Sequence, residues 1–248
     1  MGWQYNDPIF YSPLGLKKNL PERRPLKYNE KKILGVSMRL AKEAISYCII
    51  LSVLMFLSYF FSSILFYIFL VLLAFVLFFF RNPKRLIISD DRYILSPADG
   101  KIQRIIPFRE DTFIDGNAVK VSIFLSLFNV HINRSPIKGI ITYTSYRPGR
   151  YFPAFKSHAS ELNERNTIGI ENKKIKVLVH QITGFIARRI VCYRKKGDSV
   201  LQGEIFGMIK FGSCTEIDFP DNVKILVKEG DTVIAGKTVL GVIKDKNY

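Results

Sequence analysis

From Ala44 to Phe80 the chain carries no charged residue, a run of 37 positions made almost wholly of aliphatic and aromatic side chains. Such a run cannot be dissolved in water as a loop, and it dictates what the rest of the chain must be attached to. A straight helix of that length would measure about 55 Å, whereas a bilayer core of about 30 Å needs only about 20 helical residues. The run therefore predicts two short spans with a tight turn near residues 58–63, where Ser and aromatic residues interrupt the aliphatic pattern; a single tilted span is the alternative. The flanks agree with a hairpin. Lys31, Lys32, Arg39 and Lys42 precede the run, and Arg81, Lys84 and Arg85 follow it, so both ends carry the basic residues typical of the cytoplasmic side. The run begins too late and is too long for a cleaved signal peptide.

Residues 1–43 contain nine Lys or Arg and four Asp or Glu, and such a basic arm beside a membrane segment suits anionic headgroups. The whole chain repeats this bias: 37 basic against 21 acidic side chains give +16 in 248 residues. That balance favours an anionic membrane surface or nucleic acid, but a nucleic-acid partner would gain nothing from a long apolar run. Cys48, Cys192 and Cys214 are too few and too scattered for a disulfide scaffold or a zinc site. With only His131, His158 and His180 in addition, no metal centre is expected.

Beyond residue 81 the texture changes to short apolar runs that end in Gly, Pro, Asp or Asn, as at residues 93–95, 119–127, 139–143, 175–179 and 223–227. Residues 185–194 fit helix or strand equally. An internal repeat supports a β domain. Gly197-Asp198-Ser199-Val200-Leu201-Gln202-Gly203 matches Gly230-Asp231-Thr232-Val233-Ile234-Ala235-Gly236 at an offset of 33, and each copy precedes another apolar stretch. Gly-Asp makes a turn, Val starts a strand and the second Gly turns again, so the two units predict a small sandwich. The texture is that of biotinyl and lipoyl carrier domains, although the Met-Lys-Met of such carriers is absent. The fold class is therefore α+β, mainly β: a β-sandwich-like domain with a carrier-like repeat, preceded by an N-terminal transmembrane helical hairpin.

Four segments hold polar residues that a plain sandwich does not need. Ser96-Pro97-Ala98-Asp99-Gly100 reads locally as a β-turn. Asn129-Val130-His131-Ile132-Asn133-Arg134-Ser135-Pro136 puts a His beside Asn and Arg at the end of an apolar strand. Glu161-Leu162-Asn163-Glu164-Arg165-Asn166 reads as a solvated charged turn. Gly207-Met208-Ile209-Lys210-Phe211-Gly212-Ser213-Cys214 ends a strand in Gly-Ser without the Gly-x-Ser-x-Gly elbow of an α/β-hydrolase. Cys214 is a nucleophile only if its pKa is lowered.

Taken jointly with Phe78-Phe79-Phe80-Arg81-Asn82-Pro83-Lys84-Arg85 and with Gln181-Ile182-Thr183-Gly184-Phe185-Ile186-Ala187-Arg188-Arg189-Ile190, these segments resemble the phosphatidylserine decarboxylase family in its short, membrane-hairpin form. The resemblance spans roughly residues 44–243. It implies a proenzyme that cuts itself between Gly212 and Ser213: the Ser213 hydroxyl attacks the Gly212 carbonyl, β-elimination breaks the chain, and the new N-terminal residue takes up water and loses ammonia to become a covalent pyruvoyl group. That group would form a Schiff base with the serine amine of phosphatidylserine and act as electron sink while CO₂ leaves, giving phosphatidylethanolamine. By motif, Asp99 matches the residue that activates self-cleavage, and His131 matches one tied to decarboxylation, as proton donor or carboxylate-positioning group. The longer bacterial form has a second His where this chain has Arg134, so the base for Ser213 is either His131 or Asp99 acting through it.

The implied organisation is a basic arm over residues 1–43, a transmembrane hairpin over 44–80 and a self-cleaved catalytic domain over 81–248. The implied partners are phosphatidylserine, an anionic membrane at the cytoplasmic face of the inner membrane, and the two cleaved chains for each other; homo-oligomerisation stays open. Two other readings remain: a membrane-anchored carrier-like binding module without catalysis, and a pyruvoyl decarboxylase of another serine-headgroup lipid.

Overall fold

The uncharged run folds as two helices, α1 (Ala44–Tyr59) and α2 (Ser63–Phe79). The break falls within the predicted segment for local reasons. Ser58 turns its hydroxyl back onto the Met55 carbonyl at 2.8 Å, and Ser62, in extended conformation, caps α2 by accepting from Leu65 N–H. At 1.5 Å per residue the helices measure about 24 and 26 Å. Among the described residues no helix is long and apolar enough to cross a membrane. The hairpin is therefore present, but the expectation that it is transmembrane is not met: dividing the run into 16 and 17 residues leaves each arm short of a bilayer core.

The computed structural model describes residues 39–150, 152, 162–184, 189–210 and 213–244. Most of the basic arm, His158, Glu161 and the residues Phe211 and Gly212 lie outside the described residues, and Ser213 is described in its backbone alone. The chain divides into residues 1–35 and a unit of residues 36–248 that holds everything below.

Two-residue strands β1 (Arg39–Leu40) and β2 (Arg81–Asn82) pair antiparallel and clasp the open end of the hairpin. Then follow β3 (Tyr93–Leu95), β4 (Gly100–Glu110), β5 (Gly116–Leu125), β6 (Ile132–Arg134), β7 (Gly139–Arg147), β8 (Arg165–Glu171) and β9 (Lys176–Thr183). The ambiguous segment yields β10 (Arg189–Cys192); β11 (Ser199–Val200), β12 (Ile205–Lys210), β13 (Ser213–Pro220), β14 (Val223–Ile225), β15 (Thr232–Val233) and β16 (Val239–Ile243) complete the domain. Eight strands form one sheet in the order β11-β7-β8-β9-β13-β5-β4-β15, and β10-β12-β6 and β14-β16-β3 form two small sheets.

The repeat is real, but its copies do not face each other as a small sandwich. They are the two edges of the eight-stranded sheet, β11 against β7 and β15 against β4. All four repeat glycines have positive φ, from 71° to 97°, which only glycine adopts cheaply. The sheet curls until its edges meet: a Cβ on Gly203 or Gly236 would come within 2.6 or 2.8 Å of the Ile87 side chain.

The symmetry reaches further than the sequence motif. Ser96-Pro97-Ala98-Asp99-Gly100 has a twin in Ser135-Pro136-Ile137-Lys138-Gly139. Each Ser hydroxyl donates to the carbonyl two residues on, at 2.7 and 2.6 Å. The Ser96 and Ser135 carbonyls accept from the second repeat glycine, Gly236 and Gly203. The small sheets match too. β12 pairs with β6 and β16 with β3, with a bulge at corresponding positions, and Ile209 N–H donates to His131 O as Ile243 N–H does to Arg92 O. The β domain is thus two similar halves around a shared core that includes Ile102, Val121, Ile123, Ile141, Val179 and Ile217.

The hairpin is fastened to one half only. Phe79 and Phe80 are fully buried with Val130, Ile132 and Met208 in a second apolar cluster, worth roughly 2–3 kcal/mol per phenylalanine. Arg81 ties the C-terminus of α2 to the connection between β5 and β6, donating to the carbonyls of Phe78 (2.8 Å) and Phe128 (2.6 Å). Beyond this base the hairpin's apolar side chains are uncovered, with Phe61 83% and Ile64 74% exposed.

Candidate active site

The two halves supply an internal control for the polar residues. Arg92, Tyr93, Ile94 and Leu95 of one half correspond in register to His131, Ile132, Asn133 and Arg134 of the other. The backbone is the same, yet where one half buries Ile94 and Leu95, the other buries an amide and a guanidinium. Burying polar groups costs free energy unless they are bonded, so the fold itself does not ask for them. The same comparison isolates Asp99: its twin position holds Lys138, so the turn does not need a carboxylate there.

Ser213 begins β13, between Thr183 of β9 and Leu125 of β5. Between Lys210, the end of β12, and Ser213 the chain passes from a small sheet to the large one. The segment from Leu125 to His131 bridges the same gap. It starts at Ser213's partner and ends where the His131 carbonyl accepts from Ile209 N–H at 3.2 Å. Asn129 shapes it, its Oδ1 accepting from Ser126 N–H (2.8 Å) and Oγ–H (2.7 Å).

His131 is buried, its ring 4.3 Å from that of Phe79 at the hairpin base. Nδ1 lies 3.0 Å from the Asn129 carbonyl. A carbonyl only accepts, so Nδ1 carries the hydrogen and Nε2 is the basic nitrogen of the neutral ring. Burial, against a bond to Asn129 that raises it, takes the pKa down to about 4, with Arg81 lowering it further and Asp99 raising it. At neutral pH the ring is uncharged and a weak base.

Asp99 is not bonded as a partner of that ring. Its carboxylate receives a forked pair from Arg85, at 2.5 and 2.7 Å, and the Ala235 N–H at 2.8 Å. Arg85 also donates to the Ala235 carbonyl at 2.6 Å. The pair is nearly buried, with side-chain exposures of 5% and 13%. The Asp99 turn does reach the His131 strand, since Arg134 N–H donates to Pro97 O at 2.9 Å. Arg134 bonds the Gly203 carbonyl and Asn82 Oδ1. Burial, then Arg85, lowers its pKa to about 10 although Asp99 opposes this, so it stays charged and is no base at neutral pH. Arg81, Arg85 and Arg134 set three positive charges around one carboxylate.

A chain of amides runs beside the site. Asn166 donates to Gln181 (2.9 Å), Gln181 to Asn133 (2.9 Å) and Asn133 to Thr215 Oγ1 (3.1 Å), two residues past Ser213. Asn163 donates to the carbonyl of Thr183, Ser213's lateral neighbour, at 2.7 Å. Asn163 and Glu164 are buried, so the solvated-turn reading of their segment is corrected. The signal missed was that an Asn satisfies a strand end from within. The sequence marks Arg85 only as a flanking basic residue and motif member, and Gln181 only as part of a motif, because it does not show that Asp99, Ala235 and Asn133 are their partners. Burial pushes the Cys214 thiol well up, which removes it as a nucleophile. His180 is buried between Thr167 Oγ1 (2.8 Å) and Asp218 (2.9 Å). Among the described residues no cluster of metal-ligating side chains occurs.

Comparison with known proteins joins these residues to a family. A family profile described as phosphatidylserine decarboxylase matches residues 72–241. The chain belongs to the phosphatidylserine decarboxylase family. It is 56% identical over 174 residues to the phosphatidylserine decarboxylase proenzyme of Carboxydothermus hydrogenoformans, covering 70% of this chain and 82% of that relative. The proenzymes of Symbiobacterium thermophilum and Amoebophilus asiaticus are 45% and 47% identical, over 68% of this chain and 80% and 75% of theirs. The matched region of the family includes α2 from residue 72, Asp99, His131 and Ser213, but neither the basic arm nor α1.

Proposed function

We propose that this chain is a phosphatidylserine decarboxylase proenzyme that cuts itself between Gly212 and Ser213 and carries a pyruvoyl group made from Ser213. The observation that carries the reading is that Ser213 opens β13, where the chain has left a small sheet for the large one, beside the segment that ends in a buried, neutral His131. The donor set fits such a group. Its precursor hydroxyl needs an uncharged base nearby, and the site offers an imidazole with a basic Nε2.

In this reading His131 takes the Ser213 proton as the hydroxyl attacks the Gly212 carbonyl, an event required once per chain and so within reach of a weak base. Asp99, held by Arg85, stabilises positive charge on His131 through space. The pyruvoyl group supplies an electron-withdrawing carbonyl for the amine of the substrate. Arg81, Arg85 and Arg134 give the site a net positive charge that draws an anionic headgroup. The amide chain ending on Thr215 keeps the start of β13 in place after the cut.

The exposed hairpin is read as a membrane insert that dips into one leaflet tip first, with the basic residues at its clasp against anionic headgroups at the cytoplasmic face. The test is Ser213→Ala in a denaturing gel and a CO₂-release assay on phosphatidylserine. The native protein is expected as chains of 212 and 36 residues with activity, and the variant as one inactive chain. A variant that still splits at the same bond would assign the cut to a protease.

A further inference from the structure

At the clasped base of the hairpin, the first turn of α1 and the β10–β12 pair enclose a cavity of about 410 Å³ lined by Glu43, Ser46, Tyr47, Arg189, Val191 and Lys210. Its size falls in the roughly 300–1,000 Å³ range of small-molecule sites. Arg189 and Lys210 face each other directly across the strand pair. Like charges so placed destabilise a sheet, and here they are not neutralised: among the described residues neither forms an ion pair with a carboxylate. Lys210 is largely buried, its ammonium 5.5 Å from the centre of the Tyr47 ring. Burial and then Arg189 lower its pKa, while Glu43 raises it. Glu43 itself accepts from the Tyr193 hydroxyl at 2.8 Å. Two cations and one carboxylate leave the cavity one positive charge in excess.

We infer that this cavity seats the phosphodiester of a diacyl lipid, with Lys210 and Arg189 on its anionic oxygens, and that it sets the affinity for the serine-headgroup substrate. The inference rests on the decarboxylase reading above. A phosphodiester carries one negative charge and two free oxygens, which matches the excess charge and the paired donors. Lys210 lies three residues before Ser213, so their Cα atoms are at most about 11 Å apart. The lysine arm plus the three bonds from phosphorus to the serine α-carbon cover that distance. Depth agrees as well. The cavity opens where the exposed apolar part of α1 begins, at Ile45 and Ile49, which is headgroup level for a hairpin inserted by its tip.

The test uses the full-length, self-cleaved protein and short-chain dihexanoyl phosphatidylserine, with cleavage read on a gel and CO₂ release as a function of substrate concentration. Lys210→Gln and Arg189→Gln are expected to mature into two chains and to raise KM about tenfold each with kcat changed less than about twofold, the loss of one charge-assisted contact; Arg189→Lys keeps part of the affinity. Glycerophosphoserine, the headgroup without acyl chains, is expected to compete in the native protein and to lose potency in both variants, whereas inorganic phosphate at the same concentration competes far less. Should Lys210→Gln fail to mature, Arg189→Gln, on a separate strand, decides alone. Unchanged KM in Arg189→Gln, or inorganic phosphate competing equally well, overturns the cavity assignment while native turnover leaves the decarboxylase reading standing. A native protein that releases no CO₂ overturns both.

Discussion

Asp99 is where turn chemistry and site chemistry separate. Its Ser-Pro-x-x-Gly frame is built twice in this molecule with the same hydroxyl-to-carbonyl bond, once with Asp99 and once with Lys138. Asp99→Asn keeps the turn but gives up the forked charge pair with Arg85 and the through-space support of a protonated His131, so the variant is expected to keep the fold at reduced stability and to slow self-cleavage at least about tenfold, a barrier rise of about 1.4 kcal/mol. Lys138→Ala, which breaks only an exposed pair with Asp91, is expected to cleave at the native rate. Cleavage followed by gel over time, with circular dichroism for the fold, checks both. His131→Ala is expected to lose CO₂ release and to mature slowly; normal cleavage with lost CO₂ release would confine His131 to decarboxylation and leave another group to activate Ser213. Asp99, His131 and Ser213 are proposed from the sequence because family motifs fix residue types along the chain. Arg85, Asn163 and the Asn166–Gln181–Asn133–Thr215 chain are not, because their meaning lies in partners that only the curl of the sheet brings close.

The hairpin shows what composition settles at the level of elements. Absence of charge and a Ser-rich break at residues 58–63 were enough to predict two helices and their turn. The number of crossings was not readable, since 37 residues fit one tilted span or two short ones until the turn consumes Phe60, Phe61 and Ser62. The repeat was legible as two Gly-Asp turns, but not as the two edges of one sheet, because a two-residue strand has no partner signal of its own. Deleting residues 1–80 is a poor test of membrane attachment here. It removes Phe79 and Phe80 and uncovers Val130, Ile132 and Met208. Phe61→Asp with Ile64→Asp acts at the exposed tip and leaves that cluster intact. The double variant is expected to mature normally but to shift most of the protein from pelleted phosphatidylserine-containing vesicles to the supernatant, since each carboxylate costs about 2.5–3.5 kcal/mol at full bilayer depth. Vesicle binding that survives in high salt would move the anchor elsewhere.

Across the whole molecule the two similar halves divide the work. One half completes the core with Ile94 and Leu95, while the other gives up those apolar positions to Asn133 and Arg134 and carries His131 beneath the hairpin. Stability invested this way depends on pH. His131 titrates near 6.5 when unfolded and near 4 when folded, so between those values the unfolded chain binds more protons than the native one. Stability from keeping the ring neutral is therefore fully present above about pH 6.5 and is lost as pH falls through about 4, by about 3 kcal/mol in all. The buried His180, whose pKa is also lowered by burial, acts in the same direction, and a chain of net charge +16 gains further self-repulsion as its carboxylates protonate. The His131 share is isolated by comparing Ser213→Ala with Ser213→Ala plus His131→Gln, both as single uncut chains in the same detergent. Denaturant unfolding at pH 7 and at pH 4 is expected to show the difference in stability between them shrinking by about 3 kcal/mol at the lower pH. A difference that stays constant with pH would mean that folding leaves the His131 pKa at its unfolded value, and the reading of a ring held neutral by burial would fall with it.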